Sequence, residues 1–577
     1  MFADARSVPT GTKIKADICI IGSGAAGITV AREFIEKGPR VVLLEAGGVN
    51  YDAKNQALGA GPIVGLPYFP FVEGHHRQFG GTTVHWGGVC RPLDEYDFEP
   101  HYWIPHSGWP IRRKDVDPFY PRAAEICHLT PKEWDPATWM ARDRFSPLSV
   151  TGVRFESRVA QQVPISLRNF AKVYRSDLAQ APNLHIYLNA NVTEIELSET
   201  SSTVSLVRVA TLSGNRFTVA ARLFVLACGG IENPRMLLAS RRQRPSGLGN
   251  EHDLVGRFFY DHPRFAGGVI VPTNQNLSAG FYIPHRVGKQ LVIGYLALSR
   301  EQQVAERLCD VQIRIDPLYV KPFASAARSL DVGAARALYR SAKGIQPADE
   351  PRFPGIEELG RQLLLVGEDL MSWGKVTIPA TPIPAPYPEV IARLIGSSDN
   401  QRKELIPEVL GDIAGYFYTQ VSSNVPLQGL VLSTRIVPAP NPYSRVTLAE
   451  DRNELGVPQP QLNWELSPLD KRSVLRTLEL LGAEVGRAGL GRLKVLIDDN
   501  EYRWPDDLRG GYHEIGTTRM SDSPKHGVVD RNCRVHGISN LYIAGSSVFP
   551  TAGSGTPTLT IIALALRLAR HLGDILR

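Results

Sequence analysis

The stretch "ADICIIGSGAAGITVAREFIEKGPRVVLLEAG", residues 16–47, limits the possible folds more than any other part of the chain. Apolar Ile18, Ile20 and Ile21 lead into Gly22, Gly24 and Gly27, a G-x-G-x-x-G spacing, and a helical stretch then runs to Lys37 and stops at Gly38. "RVVLLEAGG" supplies a second strand, which Glu45 closes 18 residues after Gly27. Strand, glycine turn, helix and strand in about thirty residues describe a βαβ unit that binds a dinucleotide. The glycines permit the tight turn, the helix N-terminus offers unpaired N–H groups to a pyrophosphate, and the Glu45 carboxylate can take the adenosine ribose hydroxyls. NAD and FAD both carry ADP, so this unit alone leaves the choice between them open.

The remainder of the composition removes other classes. A chain of 577 residues exceeds one hydrophobic core, so two domains or one interleaved pair are expected. A net charge of +6 is small for this length, and the basic residues are scattered, which excludes a nucleic-acid footprint. Cysteines at 19, 90, 127, 228, 309 and 533 form no CxxC pair, against both a disulfide framework and a structural zinc. The N-terminal residues read as a polar tail before a strand, without the pattern of a signal peptide. No run of eighteen apolar residues exists, and "PTLTIIALALRLARHLGDIL" is broken by Arg567, Arg570 and His571, so no membrane span is expected. A cytoplasmic, soluble protein is the expectation.

Further segments carry a pattern of their own. "NLHIYLNANVTEIELS" (183–198) reads as two short strands joined near Ala190-Asn191, and "RLFVLACGGIENPRMLLAS" (222–240) as a strand, a glycine turn and a helix. Near the C-terminus, Leu541 to Ala544 form a strand that passes through a glycine-rich loop into the last helix. With "GYHEIGTTRM" (511–520), these segments resemble the glucose-methanol-choline (GMC) oxidoreductase family of FAD enzymes. The resemblance takes in the first hundred residues, 183–263, 441–464 and 511–577. It implies an α/β fold with a Rossmann-type FAD-binding domain built from discontinuous segments, 1–100, 183–262 and 505–577. A substrate-binding domain with a mixed or antiparallel sheet and helices would take 101–182 and 263–504. Independently of the family, "SRVTL" and "PQLNW" alternate about Asp451 to Gly456 as a hairpin would. A helical addition is expected over about 300–430, from the periodicity of "RSLDVGAARALYRSAKG" and "GIEELGRQLLLVGEDL".

The chemistry follows from what alcohol oxidation demands. The hydroxyl proton must leave as hydride goes to the flavin N5, so a base has to sit within hydrogen-bond reach of that oxygen. The resemblance assigns the base to His513, in "GGYHEIGTTRM". The family's second catalytic position, usually His or Asn, is matched here by Thr556 in "GSGTPTLT". Threonine can exchange one hydrogen bond with substrate but is no base at neutral pH, and before Pro557 it is also an ordinary helix N-cap. The start of that helix, with Pro557 and Thr558, places positive dipole where reduced flavin carries negative charge. Further cofactor contacts are implied for Gly80, Gly81, Thr83, His85, Trp86 and Gly87 in "GGTTVHWGG", for Val192 and for Gly545. His262, before a proline in "FYDHPRF", reads as structural, Asp530 as a turn residue and Cys228 as core.

The segment around Val84-His85-Trp86 is most similar to the pyranose oxidase-like branch, where the matching histidine can bond covalently to the flavin 8α carbon. Gly87-Gly88 depart from that branch, so His85 has two open readings, a covalent anchor or a packing residue beside the flavin. The branch implies oxidation of a ring secondary hydroxyl of a sugar or glycoside to a keto-sugar. Alternatives are a GMC enzyme for a non-sugar alcohol of the choline or aryl type, a non-redox FAD lyase, or an NAD(P) dehydrogenase on the same turn. No CxxCH haem site exists, so electrons would pass to oxygen, a quinone or a separate carrier protein, and oxidase and dehydrogenase are equally open.

Overall fold

The computed structural model describes residues 1–319 and 427–577, apart from 37, 132–133, 144, 151, 276, 289 and 501–502. Val41–Leu44 is buried at all four positions, the mark of a strand covered on both faces, and it lies in a parallel sheet. The parallel order runs Phe2–Asp4, Leu184–Leu188, Val41–Leu44, Lys13–Ile21, Arg216–Leu226 and Leu541–Ile543. Arg216–Leu226 divides its outer edge. Its first residues pair antiparallel with Val204–Ala210, and its last three pair with Leu541–Ile543. The helices Ala25–Arg32 and Pro557–Leu576 pack on one another over this sheet and close the larger hydrophobic core.

The two strands expected in 183–198 are present as Leu184–Leu188 and Asn191–Leu197. They do not pair with each other. The first sits between Phe2–Asp4 and Val41–Leu44, and the second pairs with Val204–Ala210.

A second, antiparallel sheet has the order Gly491–Val495, Arg264–Pro272, Leu427–Ile436, Val311–Tyr319, Gln290–Leu298, Phe155–Gln162 and Val89–Cys90. Its strands alternate sharply. Val311, Ile313 and Ile315 are buried with Leu430, Leu432 and Phe265 in the second core, which also takes in Val474, Leu478 and Leu481 of the helix Pro468–Arg487. Gln312, Arg314 and Asp316 fall on the opposite face, as the period of two requires.

Three sequence expectations need amendment. The span 1–100 does not stay with the nucleotide sheet, because Val89–Cys90 pairs with Phe155–Gln162 of the second sheet. Ile63–Gly65 joins the expected hairpin, Arg445–Arg452 with Pro458–Trp464, as a third, parallel strand. Within 300–430, the ends are a short helix Arg300–Glu306 and the strands Val311–Tyr319 and Leu427–Ile436. The alternation of apolar residues in "VQIRI" outweighs any helical pattern there. The expected helical segments themselves lie outside the described residues.

Candidate active site

At the dinucleotide turn, each glycine has a separate physical reason. Gly22 has φ +99°, and a Cβ on it would lie 2.6 Å from the Ala227 carbonyl oxygen. A Cβ on Gly27 would fall 1.9 Å from the Gly22 carbonyl oxygen, so helix and turn can approach only without a side chain. Gly24 is different. It heads the helix with no side-chain cap, and a Cβ there would meet nothing within 4 Å. A helix start with open approach in front of it fits a pyrophosphate, which is the test an ADP-bearing cofactor must pass here. Glu45 lies at the end of the neighbouring strand, 5% exposed, and burial raises its pKa. The structure adds partners that the sequence did not reveal. Glu45 accepts from the Ser23 N–H (2.9 Å), the Ser23 hydroxyl (2.6 Å) and the Gly47 N–H (2.9 Å). With about four acceptor positions on a carboxylate, its first task is to hold the turn, with about one position left for a ribose hydroxyl.

The loop Gly80 to Gly88 packs directly on this turn. Gly80 donates its N–H to the Ser23 hydroxyl at 3.2 Å, and a Cβ on Gly81 would lie 2.9 Å from the Gly24 Cα. Both glycines have positive φ, +96° and +53°. Thr83 is buried and donates its hydroxyl to the Gly80 carbonyl (2.6 Å), while Trp86 donates its indole N–H to the Arg168 carbonyl (2.8 Å). His85 and Gly87 are exposed, and the His85 ring lies 3.9 Å from that of His76. Val192 is half-buried in its strand opposite Val209, and Gly545 turns with φ +133° just after Leu541–Ile543.

The second part of the site is organised by a residue that sequence reasoning missed. Asp261 is fully buried, and five donors converge on its carboxylate. Oδ1 accepts from the N–H groups of His262 (2.6 Å) and His513 (2.9 Å). Oδ2 accepts from the N–H groups of Gly511 (2.8 Å) and Tyr512 (3.0 Å), and from the Tyr68 hydroxyl (2.7 Å). Three successive amides of 511–513 thus wrap one anion, an arrangement helped by the φ of +62° at Tyr512. Gly510 and Gly511 are needed because Cβ atoms there would approach Tyr68 at 2.4 Å and the His262 carbonyl oxygen at 2.5 Å. Burial, with the nearby Glu514 carboxylate, pushes the Asp261 pKa up to about 6, and the five donors oppose that rise. Glu514 in turn bonds His75 Nε2 (2.8 Å) and accepts from the Tyr68 hydroxyl (3.3 Å).

The result of this folding is a pair of histidines. His262 Nδ1 lies 2.9 Å from His513 Nδ1, with the rings at 81°. Burial lowers both pKa values, His262 to about 3 and His513 well below 6.5, and the guanidinium of Arg435 adds to both effects. Two neutral imidazoles can share that bond only if one donates and the other accepts. His262, read from sequence as structural, is therefore the immediate neighbour of the candidate base. The only sequence signal was its place in "YDHP"; the residue it meets is 251 positions away.

Thr556 departs from its expected local role. It has the extended backbone of an N-cap, φ −66° and ψ 142°, but its side chain makes no cap bond. Its hydroxyl donates to the Val89 carbonyl instead, tying the last helix to the edge strand of the second sheet. Only its oxygen is left to accept from a ligand. Pro557 opens the helix at its first position, followed by half-buried Thr558. Asp530 is the turn residue expected, accepting from the N–H groups of Asn532 and Arg534. Among the described residues no His, Cys, Asp and Glu cluster could hold a metal ion, and the six cysteines are free.

A Rossmann-type sheet with a glycine cradle, and a histidine pair at the start of the strand Arg264–Pro272, fit a dinucleotide-dependent oxidoreductase. Residues 168–264 and 440–565 match the N- and C-terminal family models described as GMC oxidoreductase. The chain thus carries matches to both the N- and the C-terminal GMC oxidoreductase models, and these imply FAD as the cofactor. The chain is 22% identical to the fructose dehydrogenase large subunit of Gluconobacter japonicus, over 96% of this chain and 97% of that one. It is also 22% identical to the paromamine 6'-oxidase of Streptomyces fradiae, over 97% and 92%. A shorter match, 35% identical over 22% of this chain and 23% of the other, is to the C-glycoside 3-oxidase of Microbacterium trichothecenolyticum. Among solved structures, pyridoxine 4-oxidase from Mesorbium loti superposes with a TM-score of 0.54 at 16% identity, covering 96% of this chain and 98% of that one. No helix among the described residues is long and apolar enough to cross a membrane.

Proposed function

We propose that the chain is an FAD-dependent alcohol oxidoreductase that oxidises a ring secondary hydroxyl of a sugar or glycoside to a keto-sugar, with His513 as the general base. The observation that carries this reading is the His262–His513 pair, with the backbone of both residues held by the Asp261 carboxylate. In the tautomer the role requires, His513 donates Nδ1–H to His262 Nδ1, which leaves its Nε2 lone pair to take the substrate hydroxyl proton. FAD, when bound, accepts the hydride from the carbinol carbon. The pyrophosphate would lie at Gly24 and the start of its helix, with Gly80, Gly81, Thr83, His85, Trp86, Gly87, Val192, Gly545, Pro557 and Thr558 as the other proposed contacts. The sugar assignment is supported by the names of the relatives, among them a fructose dehydrogenase and a C-glycoside 3-oxidase. Anaerobic mixing with monosaccharides, glycosides, choline and aryl alcohols tests it. Loss of the oxidised-flavin absorbance with the sugars supports the reading, and bleaching by choline or aryl alcohols alone rejects it.

The electrostatics give a pH prediction with a definite sign. A base works unprotonated, and burial with the Arg435 and Arg264 charges depresses the His513 pKa. Activity is therefore retained on acidification and falls only as the pH drops through that depressed value. The acid limb of the kcat/KM profile is expected below 6.5, the ordinary imidazole value. A limb at or above that value would assign it to another group.

Gly27→Ala tests the cradle. The added methyl meets the Gly22 carbonyl at 1.9 Å, and overpacking of this kind costs about 1–3 kcal/mol, so flavin retention is expected to weaken by about tenfold or more. Flavin-to-protein ratio after gel filtration measures it. Covalent attachment through His85 is read from acid precipitation, in which a yellow pellet supports the bond and a yellow supernatant excludes it.

A further inference from the structure

The polar face of the second sheet carries arginines, the first of which, Arg264, follows His262 by two residues at the start of its strand. Arg264 and Arg435 are direct cross-strand partners, as are Gln312 and Arg435, while Arg314 lies two residues from Gln312. Paired residues share a face, and so do residues two apart, so the three guanidinium groups stand on one surface. Arg314 has a carboxylate partner, Asp316, at 3.3 Å. Arg435 has none among the described residues, and its hydrogen bond there is a long one, to Gln312 Oε1 at 3.5 Å. It is half-buried, and burial together with the charges of Arg314 and Arg264 lowers its pKa to about 10. A half-buried guanidinium crowded by two others is an unfavourable arrangement unless an anion offsets it. A carboxylate in electrostatic reach, Asp261, already accepts five hydrogen bonds elsewhere.

We propose that Arg435, flanked by Arg264 and Arg314, binds an oxyanion substituent of the substrate, a carboxylate or a phosphate, so that the preferred alcohol is an acidic sugar derivative and not a neutral sugar. The guanidinium fork matches either oxyanion in a bidentate geometry. Its cross-strand partner Arg264 follows His262 by two residues, and His262 bonds His513, so the recognised group and the reacting hydroxyl can belong to one molecule. The inference deepens the sugar-oxidation reading and rests on it for the identity of the reacting group.

The test uses the flavin-loaded enzyme with glucose, methyl glucoside, gluconate, glucuronate and glucose 6-phosphate. The ratio of kcat/KM for acidic over neutral substrates is measured in the parent, Arg435→Gln and Arg435→Lys, with binding of each compound followed separately by thermal shift. A preference for acidic substrates is expected in the parent, falling by about 10–100-fold in Arg435→Gln, since charge-assisted hydrogen bonds are lost. Arg435→Lys keeps the charge, loses the fork and is expected to fall between, which also serves if Arg435→Gln does not fold. Preference for gluconate and glucuronate identifies a carboxylate, and preference for glucose 6-phosphate a phosphate. Neutral sugars turned over as well as acidic ones, or a ratio that neither variant moves, would overturn the inference and leave the sugar reading intact. If no sugar reduces the flavin, the sugar reading fails. The binding arm then decides alone: acidic compounds held more tightly by the parent than by both variants sustain the anion site, and equal binding rejects it. A cation serving only the flavin would change its reduction potential without changing the ratio.

Discussion

Replacing His513 with alanine is expected to lower kcat/KM by about 10²–10⁴-fold, the usual worth of a positioned general base, while flavin content stays that of the parent. The separation of these two readouts follows from the structure. The His513 ring bonds His262, but its backbone N–H, together with those of Gly511 and Tyr512, holds the loop to Asp261. An alanine keeps those amides, so the loop retains its anchor. The residues proposed to hold the cofactor lie in other segments, around Gly24, Gly81 and Pro557. Steady-state kinetics with the flavin-to-protein ratio checks the result. Turnover within tenfold of the parent would remove His513 from the base role. His513→Asn refines the result, because an amide can bond His262 but cannot take a proton at neutral pH; it should be as inactive as alanine.

The second large effect is expected at Asp261. In Asp261→Asn one oxygen becomes an NH2 group, and that group must face at least two of the donors now converging on the carboxylate. Each hydrogen bond to a charged group is worth about 1.5–3 kcal/mol, and an unpaired buried donor costs about 1–3 kcal/mol. Loss of two or more such bonds is expected to lower kcat by about 100-fold or more and to lower Tm, although Asp261 itself has no assigned contact with substrate. A purely structural role would lower Tm and leave the surviving folded enzyme with its parental pH profile. A positioning role shifts the acid limb as well, because the His262–His513 geometry that sets the base is disturbed. Asp261→Asn with parental kcat would show that the amide nest does not position His513.

Much of the nucleotide half was legible because its signals are local. Gly27 answers to a close backbone approach five residues away, at the Gly22 carbonyl, and the spacing of the glycines in the sequence states this directly; the approach of Ala227 to Gly22 comes from a distant part of the chain. The hairpin of Arg445–Arg452 with Pro458–Trp464 was likewise visible in its alternation around a glycine turn. Glu45 was found by its place at the end of a strand, but not its bonds to Ser23 and Gly47, since those depend on how the turn folds back. Thr556 met every local rule for an N-cap, and a distant carbonyl, that of Val89, claimed its hydroxyl. The edge strand Val89–Cys90 crossed an expected domain boundary for a similar reason: two residues carry too little pattern to announce a pairing partner some seventy positions away.

By itself the sequence determined the dinucleotide turn, because glycine spacing and apolar period are consequences of backbone sterics that act over a few residues, and its resemblance to a known family pointed to His513 as the residue to watch. Only the tertiary structure decided what surrounds that histidine. Asp261 and His262 meet the 511–513 loop across about 250 positions, and Arg264, Arg314 and Arg435 reach one surface through strand register. Hydrogen bonds and charges of this kind depend on distance in space, and the interval along the chain carries no record of it.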